Sequence, residues 1–255
     1  MKTTVEKIKS MKGKEKIAML TGYDYFSARM EDEAGIDMIL IGDSLGMVVL
    51  GYDNTLSVTI EDIQRHTGAV ARGCKNALIV ADMPFGSFDT KEDAVLNAES
   101  LIKIGADAVK VENKPDIAKF LAENNIPVMG HVGLTPQTKE LKVQGKSEEE
   151  AEEIMRLARE CEQAGCFSIV LEAMPRDLAK KITDSIKIPT IGIGAGPDCD
   201  GQVLVSNDIL GLYDRLSPKF AKRYAELGNE MKIAFEKYIK DVKEGKFPED
   251  RHSFH

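Results

Sequence analysis

Residues 38–46 read MILIGDSLG, a run of four apolar side chains followed by a glycine, an aspartate and a serine. Continuous rather than alternating apolarity indicates a strand that is covered on both faces, as in a parallel sheet. A carboxylate and a hydroxyl directly after such a strand indicate that the strand ends at a polar site. Gly42 and Gly46 let the backbone turn close to a bound molecule there.

Seven further apolar runs recur along the chain. The eight predicted strands lie at residues 16–20, 38–41, 77–81, 108–111, 126–130, 167–171, 188–193 and 202–205. Most gaps between them carry a helical pattern, and two of these helices are predicted to begin at Ser57 and Asp89. The last gap, GAGPDCDG at residues 194–201, is too short for a normal helix and is predicted to be a loop.

The alternation of strand and helix predicts an α/β fold, a (β/α)8 TIM barrel. An open doubly wound sheet is the alternative, but such a sheet has about five to seven strands. Residues 1–255 are predicted to form a single domain, with C-terminal helices from about residue 217 and a short polar tail. The amphipathic spacing of residues 217–245 favours packing against the barrel over a coiled coil.

Composition excludes several classes of function. The formal net charge of −8 disfavours binding to nucleic acid or to an anionic membrane surface, which requires a basic patch. No apolar stretch approaches about eighteen residues, so no membrane span is expected. The apolar run behind the charged N-terminus is too short for a signal peptide, and we expect a cytoplasmic protein.

The four cysteines are predicted to be reduced thiols. No two of them are separated by the two-residue gap of a zinc knuckle or a redox motif, so a zinc site or a disulfide is the less favoured interpretation. They are Cys74, Cys161, Cys166 and Cys199.

Ionisable residues follow the predicted strands, where the active site of this fold lies. Five carboxylates facing one mouth would repel each other unless a cation lay among them. Oxygen ligands without thiolates suit a hard ion such as Mg²⁺. The alternative is that each acid caps the helix that follows it. The residues are Asp24, Asp43, Asp82, Glu112, His131 and Glu172.

Lys110 lies two residues before Glu112, so both side chains point to the same side of the strand. A lysine in an apolar strand needs a partner. It forms either a buried ion pair with Asp82 or Glu112, or a cationic site for a substrate carboxylate or enolate. His131 is either a base or a hydrogen-bonded residue of the mouth. The glycines of GIGAG (192–196) indicate either a phosphate-binding loop or a tight turn. Together these residues predict a metal-dependent barrel enzyme acting on a small anionic carbonyl compound.

The chain resembles the ketopantoate hydroxymethyltransferase family from about residue 3 to its tail. Several motifs in order, at the family's spacing, carry the resemblance. They are GDSLGMVVLGYDNTLSVT, ADMPFGSF, AVKVE, MGHVGLTPQ, KVQGK, LEAMP, IGIGAGPDCDGQVLV and GKFPEDRHSF.

The resemblance implies a barrel of the phosphoenolpyruvate/pyruvate type that assembles into a homo-oligomer, a decamer in most members. Family members transfer a hydroxymethyl group from 5,10-methylenetetrahydrofolate to α-ketoisovalerate (3-methyl-2-oxobutanoate). The product, ketopantoate, is used to make pantothenate and coenzyme A. The expected partners are therefore a small ketoacid and a folate.

The resemblance also implies roles for individual residues. Asp43 and Asp82 are expected to bind Mg²⁺ directly, with Glu112 in the same site, directly or through water. Ser44 and Lys110 are expected to hold the carboxylate and carbonyl of the ketoacid, and Glu172 matches the family's proton acceptor. The substrate-binding set is expected to comprise Asp43, Ser44, Asp82, Lys110 and His131.

Two other functions remain possible from the sequence. One is a Mg²⁺-dependent oxo-acid lyase or mutase of the isocitrate lyase or phosphoenolpyruvate mutase type, which shares the barrel, the metal and an enolate. Those enzymes carry a cysteine on an active-site loop, and no convincing equivalent lies near Cys74 or Cys199. The other is a barrel that has lost catalysis and serves as a binding or scaffold protein.

Overall fold

The apolar runs form the strands of a closed barrel. The computed structural model describes residues 2–137, 142–215 and 218–255. Its eight strands pair in parallel and in chain order, and the last pairs with the first, which confirms the predicted (β/α)8 barrel over an open sheet. The strands are β1 (Ile17–Thr21), β2 (Met38–Ile41), β3 (Leu78–Asp82), β4 (Ala108–Glu112), β5 (Val128–Gly133), β6 (Ser168–Glu172), β7 (Thr190–Ile193) and β8 (Gly201–Leu204).

Helices occupy the connections between successive strands up to β7. The connection from β7 to β8 is the predicted loop. The helices are α1 (Val5–Met11) before the barrel, then α2 (Tyr25–Glu33), α3 (Leu45–Val48), α4 (Ile60–Gly73), α5 (Lys91–Ile104), α6 (Pro115–Glu123), α7 (Glu148–Gln163) and α8 (Arg176–Ser185).

The first residues of two helices differ from the prediction. The N-cap of α4 is Thr59 rather than Ser57, and the N-cap of α5 is Thr90 rather than Asp89. The Thr59 hydroxyl accepts the backbone N–H of Asp62, whose carboxylate accepts the N–H of Thr59 in return. This reciprocal capping box needs an acid three residues after the cap, a spacing that Ser57 lacks.

Apolar side chains pack both inside the barrel and between the strands and the helices. The interior cluster includes Met38, Val80 and Met129, and Ile8 and Met11 of α1 belong to it as well. Helix α1 therefore covers the end of the barrel where the strands begin. The opposite end, where the strands finish, is left for the polar residues.

Asp32, near the end of α2, ties that helix to the segment that leads into β3. Its carboxylate accepts backbone N–H groups from Lys75, Asn76 and Ala77 at 3.0, 2.8 and 2.7 Å. Burial raises the pKa of Asp32, but these N–H groups outweigh burial and lower the pKa from 3.8 to about 2.

We expect Asp32→Asn to lower the free energy of unfolding by about 2 kcal/mol at neutral pH, since one pKa unit corresponds to about 1.4 kcal/mol. A depressed pKa stabilises the fold above the unfolded-state value and stops doing so as the pH falls through the folded-state value. The difference between the two proteins should therefore shrink between about pH 4 and about pH 2. Urea unfolding of both proteins across this range measures it, with exposed Glu33→Gln as the control; a difference independent of pH would contradict the prediction.

A second compact unit begins at Ser206, where the barrel unit ends at Val205. It contains α9 (Ser206–Ile209), α10 (Leu227–Lys243) and a one-turn 3-10 helix at Asp250–His252. The predicted helix start near residue 217 lies outside the described residues, and residues 218–226 are not helical. The expectation of one domain stays a prediction. No helix in the described part of the chain is long and apolar enough to cross a membrane.

Candidate active site

The ends of neighbouring strands bring ionisable side chains to one mouth of the barrel. Asp82 is the last residue of β3, Glu112 the last of β4 and Glu172 the last of β6. The strand register pairs Asp82 with Lys110, and Glu112 with His131. In a parallel barrel such residues face the cavity at the carboxyl end of the strands. The apolar strands therefore position a polar site.

Lys110 is the buried cation of this site. Its ammonium nitrogen lies 2.6 Å from Oδ1 of Asp82, 3.7 Å from Oε1 of Glu112 and 3.4 Å from Nδ1 of His131. Burial lowers the pKa of Lys110, but Asp82, Glu112 and Asp43 outweigh burial and raise it. The side chain is thus charged, and the predicted buried ion pair is present. Its role towards a substrate stays a prediction.

Asp43 follows β2 and is linked to both β3 and the segment after β5. Its backbone N–H donates to Oδ2 of Asp82 at 2.9 Å, and Nε2 of Gln137 donates to Oδ2 of Asp43 at 2.9 Å. Burial raises the pKa of Asp43 to about 8, with Asp82 and Glu112 adding to the shift. The Asp43 carboxyl therefore holds a proton at neutral pH, which a bound divalent cation would displace.

His131 lies between two glutamates. Its Nδ1 is 3.1 Å from Oε1 of Glu112, and its Nε2 is 3.1 Å from Oε2 of Glu172. Burial and Lys110 lower the pKa of His131, but the two glutamates outweigh them and raise it to about 9. A protonated imidazole donates to Glu112 from Nδ1 and has no free lone pair with which to act as a base. This favours the predicted role of a hydrogen-bonded residue of the mouth over that of a base. Because β5 continues to Gly133, the prediction that His131 ends its strand was wrong.

The Ser44 hydroxyl is held beside the mouth by Tyr23. The two oxygens are 2.8 Å apart, and the Tyr23 side chain is buried. Although Ser44 occupies the N-cap position of α3, its side chain makes no capping hydrogen bond. A Cβ atom on Gly42 would lie 2.8 Å from the Ser44 oxygen, so only glycine leaves room for the hydroxyl in this position.

Asp24 does not take the position expected of it. Its carboxylate accepts the backbone N–H groups of Phe26 and Ser27 at 2.8 and 3.0 Å, and it is the exposed N-cap of α2. The interpretation of Asp24 as a fifth carboxylate of the mouth was therefore wrong. For this acid the helix-capping alternative holds.

The GIGAG segment has the backbone of a tight turn. Gly194 and Gly196 have positive φ angles of 62° and 84°, which favour glycine. A Cβ atom on Gly196 would lie 2.7 Å from Cγ of Arg176, and Gln202 donates to the Gly196 carbonyl at 2.9 Å. These contacts account for the glycines without a bound phosphate.

Two residues of the site escaped the sequence analysis. Tyr23 and Gln137 lie two residues after β1 and four residues after β5, whereas the positions predicted to face the mouth lie where strands end. Gln137 lies at the end of the motif MGHVGLTPQ, but a glutamine carries no charge, so its burial alone does not indicate a functional site. The hydrogen bond from Gln137 to Asp43 is visible only in the structure, where the segment after β5 lies beside the residue that follows β2.

In the described ranges, no group of three or more acidic, histidine or cysteine side chains is arranged as a preformed set of metal ligands. In proteins Mg²⁺ keeps several waters and takes only one or two carboxylates. The donors available here are oxygen atoms of buried acids, as that ion prefers. The donor chemistry and the crowding of the Asp43, Asp82 and Glu112 carboxyl groups both fit a divalent cation.

A family model described as "Ketopantoate hydroxymethyltransferase" matches residues 2–250. The chain belongs to this family. It is 53% identical to the 3-methyl-2-oxobutanoate hydroxymethyltransferase of Clostridium acetobutylicum, over 100% of this chain and 96% of that relative. The resemblance stated from the sequence motifs is confirmed.

Solved structures share the barrel fold of this chain. Phosphoenolpyruvate phosphomutase from Streptomyces platensis subsp. rosaceus has a TM-score of 0.65 at 11% identity, covering 95% of this chain and 88% of its own. A 2,3-dimethylmalate lyase of the PEP mutase/isocitrate lyase superfamily has a TM-score of 0.62 at 14% identity, covering 100% and 93%. At these identities the likeness concerns the fold alone.

Proposed function

We propose that the protein transfers a hydroxymethyl group from 5,10-methylenetetrahydrofolate to 3-methyl-2-oxobutanoate and so forms ketopantoate. The observation that carries the proposal is the buried series of acid–base groups from Asp43 to Glu172, in a chain of this family. The C3 proton of the ketoacid is too weakly acidic to leave at neutral pH without help. The site must therefore stabilise an enolate and provide a base.

Asp43 and Asp82 would hold Mg²⁺, with Glu112 in the same site directly or through water. The ion would supply Lewis-acid stabilisation of the negative charge that develops on the ketoacid oxygens. Lys110, fixed by Asp82 at 2.6 Å, adds a positive charge beside the same oxygens. The Ser44 hydroxyl, held by Tyr23, binds the ketoacid carboxylate. These residues orient the substrate in the mouth of the barrel.

Glu172 is the base in this proposal. Its side chain is 18% exposed, against 2% for Asp82 and 3% for Glu112, so it is the more accessible to a substrate. The Nε2 atom of His131 lies 3.1 Å from Oε2 and forms an ion pair with this carboxylate, which orients it. Glu172 takes the C3 proton, and the C3 carbon adds to the folate-bound one-carbon unit. Water supplies the oxygen of the new hydroxyl group, and tetrahydrofolate is released.

The lyase or mutase alternative has less support. All four cysteines are buried, and the Cys74 thiol donates to the carboxylate of Asp32 at 3.3 Å, within the packing between α2 and β3. Cys199 is fully buried in the connection between β7 and β8. Neither thiol is placed for acid catalysis on an exposed loop, as those enzymes require. A scaffold role would leave the buried acid–base groups without a function.

We expect the protein to convert 3-methyl-2-oxobutanoate to ketopantoate only when both 5,10-methylenetetrahydrofolate and Mg²⁺ are present. Chromatographic detection of ketopantoate, with each component left out in turn, tests this. Cleavage or rearrangement of an oxo acid without folate would favour the lyase or mutase. No turnover of any of these substrates would favour the binding protein.

The remaining parts of the proposal concern the cellular setting. Ketopantoate would enter the synthesis of pantothenate and coenzyme A, and the partners would be a ketoacid and a folate rather than nucleic acid or membrane. We propose a cytoplasmic homo-oligomer, with a decamer as the expected assembly. Size-exclusion chromatography with light scattering measures the mass, and a monomeric mass would contradict the assembly.

A further inference from the structure

Gln137 places a buried amide group against one of the site's carboxylates. The residue follows β5 and is only 5% exposed. Its Nε2 donates to Oδ2 of Asp43 at 2.9 Å and to the carbonyl oxygen of Met83 at 3.2 Å. It therefore joins the segment after β5 to the residues that follow β2 and β3.

The two neighbours determine which end of the amide faces them. A carboxylate oxygen and a backbone carbonyl are both acceptors, so a donor must lie between them. The amide nitrogen has two N–H groups, one for each acceptor. The opposite orientation would bring the amide oxygen against two other oxygens in a buried place, which is unfavourable.

We propose that Gln137 is a positioning residue for the divalent cation of this site. The inference rests on the proposed function, in which Asp43 is a metal ligand. Two hydrogen bonds fix the Asp43 region: Gln137 holds Oδ2 of its carboxylate, and Asp82 accepts its backbone N–H. Gln137 itself touches neither the cation nor the ketoacid in this proposal.

Fixing a ligand before the ion arrives favours binding. A carboxylate held in one rotamer loses little conformational freedom when it takes up the ion, and partners of this kind change metal affinity by about 10- to 100-fold when removed. The amide is neutral, so it orients Asp43 without adding a positive charge that would repel the cation. A lysine in its place would compete with the ion.

The test measures Mn²⁺ binding to the whole protein without substrate, by electron paramagnetic resonance. Gln137→Met keeps the length of the side chain and removes its N–H groups, and we expect about 10- to 100-fold weaker binding. Gln137→Asn keeps the amide but shortens its reach, and should weaken binding similarly. Turnover of Gln137→Met should recover towards the wild-type kcat at saturating Mg²⁺, which a merely structural defect would not allow.

Gln144→Met is the matched control. Gln144 is also a buried glutamine of the connection between β5 and α7, at 6% exposure, but its Nε2 donates to the carbonyl of Lys142. Its replacement should leave Mn²⁺ affinity unchanged. If Gln137→Met loses its fold by circular dichroism, Gln137→Asn decides the question.

The outcomes separate this inference from the proposed function. Wild-type affinity in folded Gln137→Met or Gln137→Asn would overturn the positioning role while the metal site stands. Equal weakening in Gln144→Met would also overturn it, because the effect would then belong to the connection as a whole. Failure of the wild-type protein to bind Mn²⁺ or Mg²⁺ would overturn both the metal site and the inference.

Discussion

Glu172→Gln is expected to slow exchange of the C3 proton of 3-methyl-2-oxobutanoate with solvent by about 10²- to 10⁴-fold, the contribution usual for a general base. Glutamine has nearly the same shape and can still accept from Nε2 of His131, which lies 3.1 Å from Oε2 of Glu172. The amide cannot take up a proton from carbon. Binding of the ketoacid should therefore persist while exchange is lost.

Proton NMR in deuterated water follows this exchange directly and needs no folate. Isothermal titration calorimetry gives the ketoacid affinity of the same variant. Glu149→Gln, an exposed acid in the first turn of α7, is the control and should exchange at the wild-type rate. Exchange that survives in Glu172→Gln would remove Glu172 from the role of base.

Replacement of Asp82 should abolish both activity and the response to Mg²⁺. Asp82→Ala removes a proposed metal ligand together with the nearest partner of Lys110, at 2.6 Å, so the buried ammonium keeps only the more distant Glu112. Asp82→Asn is the milder test, since its amide oxygen can still accept the N–H of Asp43. For this variant we expect turnover to fall by at least about 10²-fold. The reason is that the metal loses a ligand, so the negative charge that develops on the enolate is less well stabilised.

Initial rates over a range of Mg²⁺ concentrations, together with Mn²⁺ binding, measure this effect. Asp116→Asn, an exposed acid in the first turn of α6, should keep the wild-type metal response. Thermal unfolding distinguishes loss of the fold from loss of a single metal ligand, since Asp82→Asn should remain folded. A folded variant with an unchanged metal response would rule out Asp82 as a ligand.

The fold was largely predictable because it depends on local sequence patterns. Each apolar run became a strand, since a strand covered on both faces must be apolar throughout. Helix starts were less predictable. Ser57 and Thr59 are both good N-caps by residue type, and the reciprocal bond with Asp62 decides between them.

The candidate site was predictable only in part. Asp82, Glu112 and Glu172 end their strands, and the barrel geometry alone predicts that they face one mouth. Asp24 follows β1 in a similar way but turns back to cap its own helix. The sequence could not distinguish these outcomes, because a carboxylate after a strand satisfies both the cavity and the helix N-terminus.

The sequence by itself determined the barrel, the strands that carry the acids and the family. Tertiary structure decided which partners hold the side chains of the site, namely Gln137 for Asp43 and Tyr23 for Ser44. The physical reason is the range of the interactions. Apolar periodicity and strand register act between residues that are close in the chain or in neighbouring strands. A hydrogen bond across the mouth joins residues such as Asp43 and Gln137, which come together only when the barrel has closed.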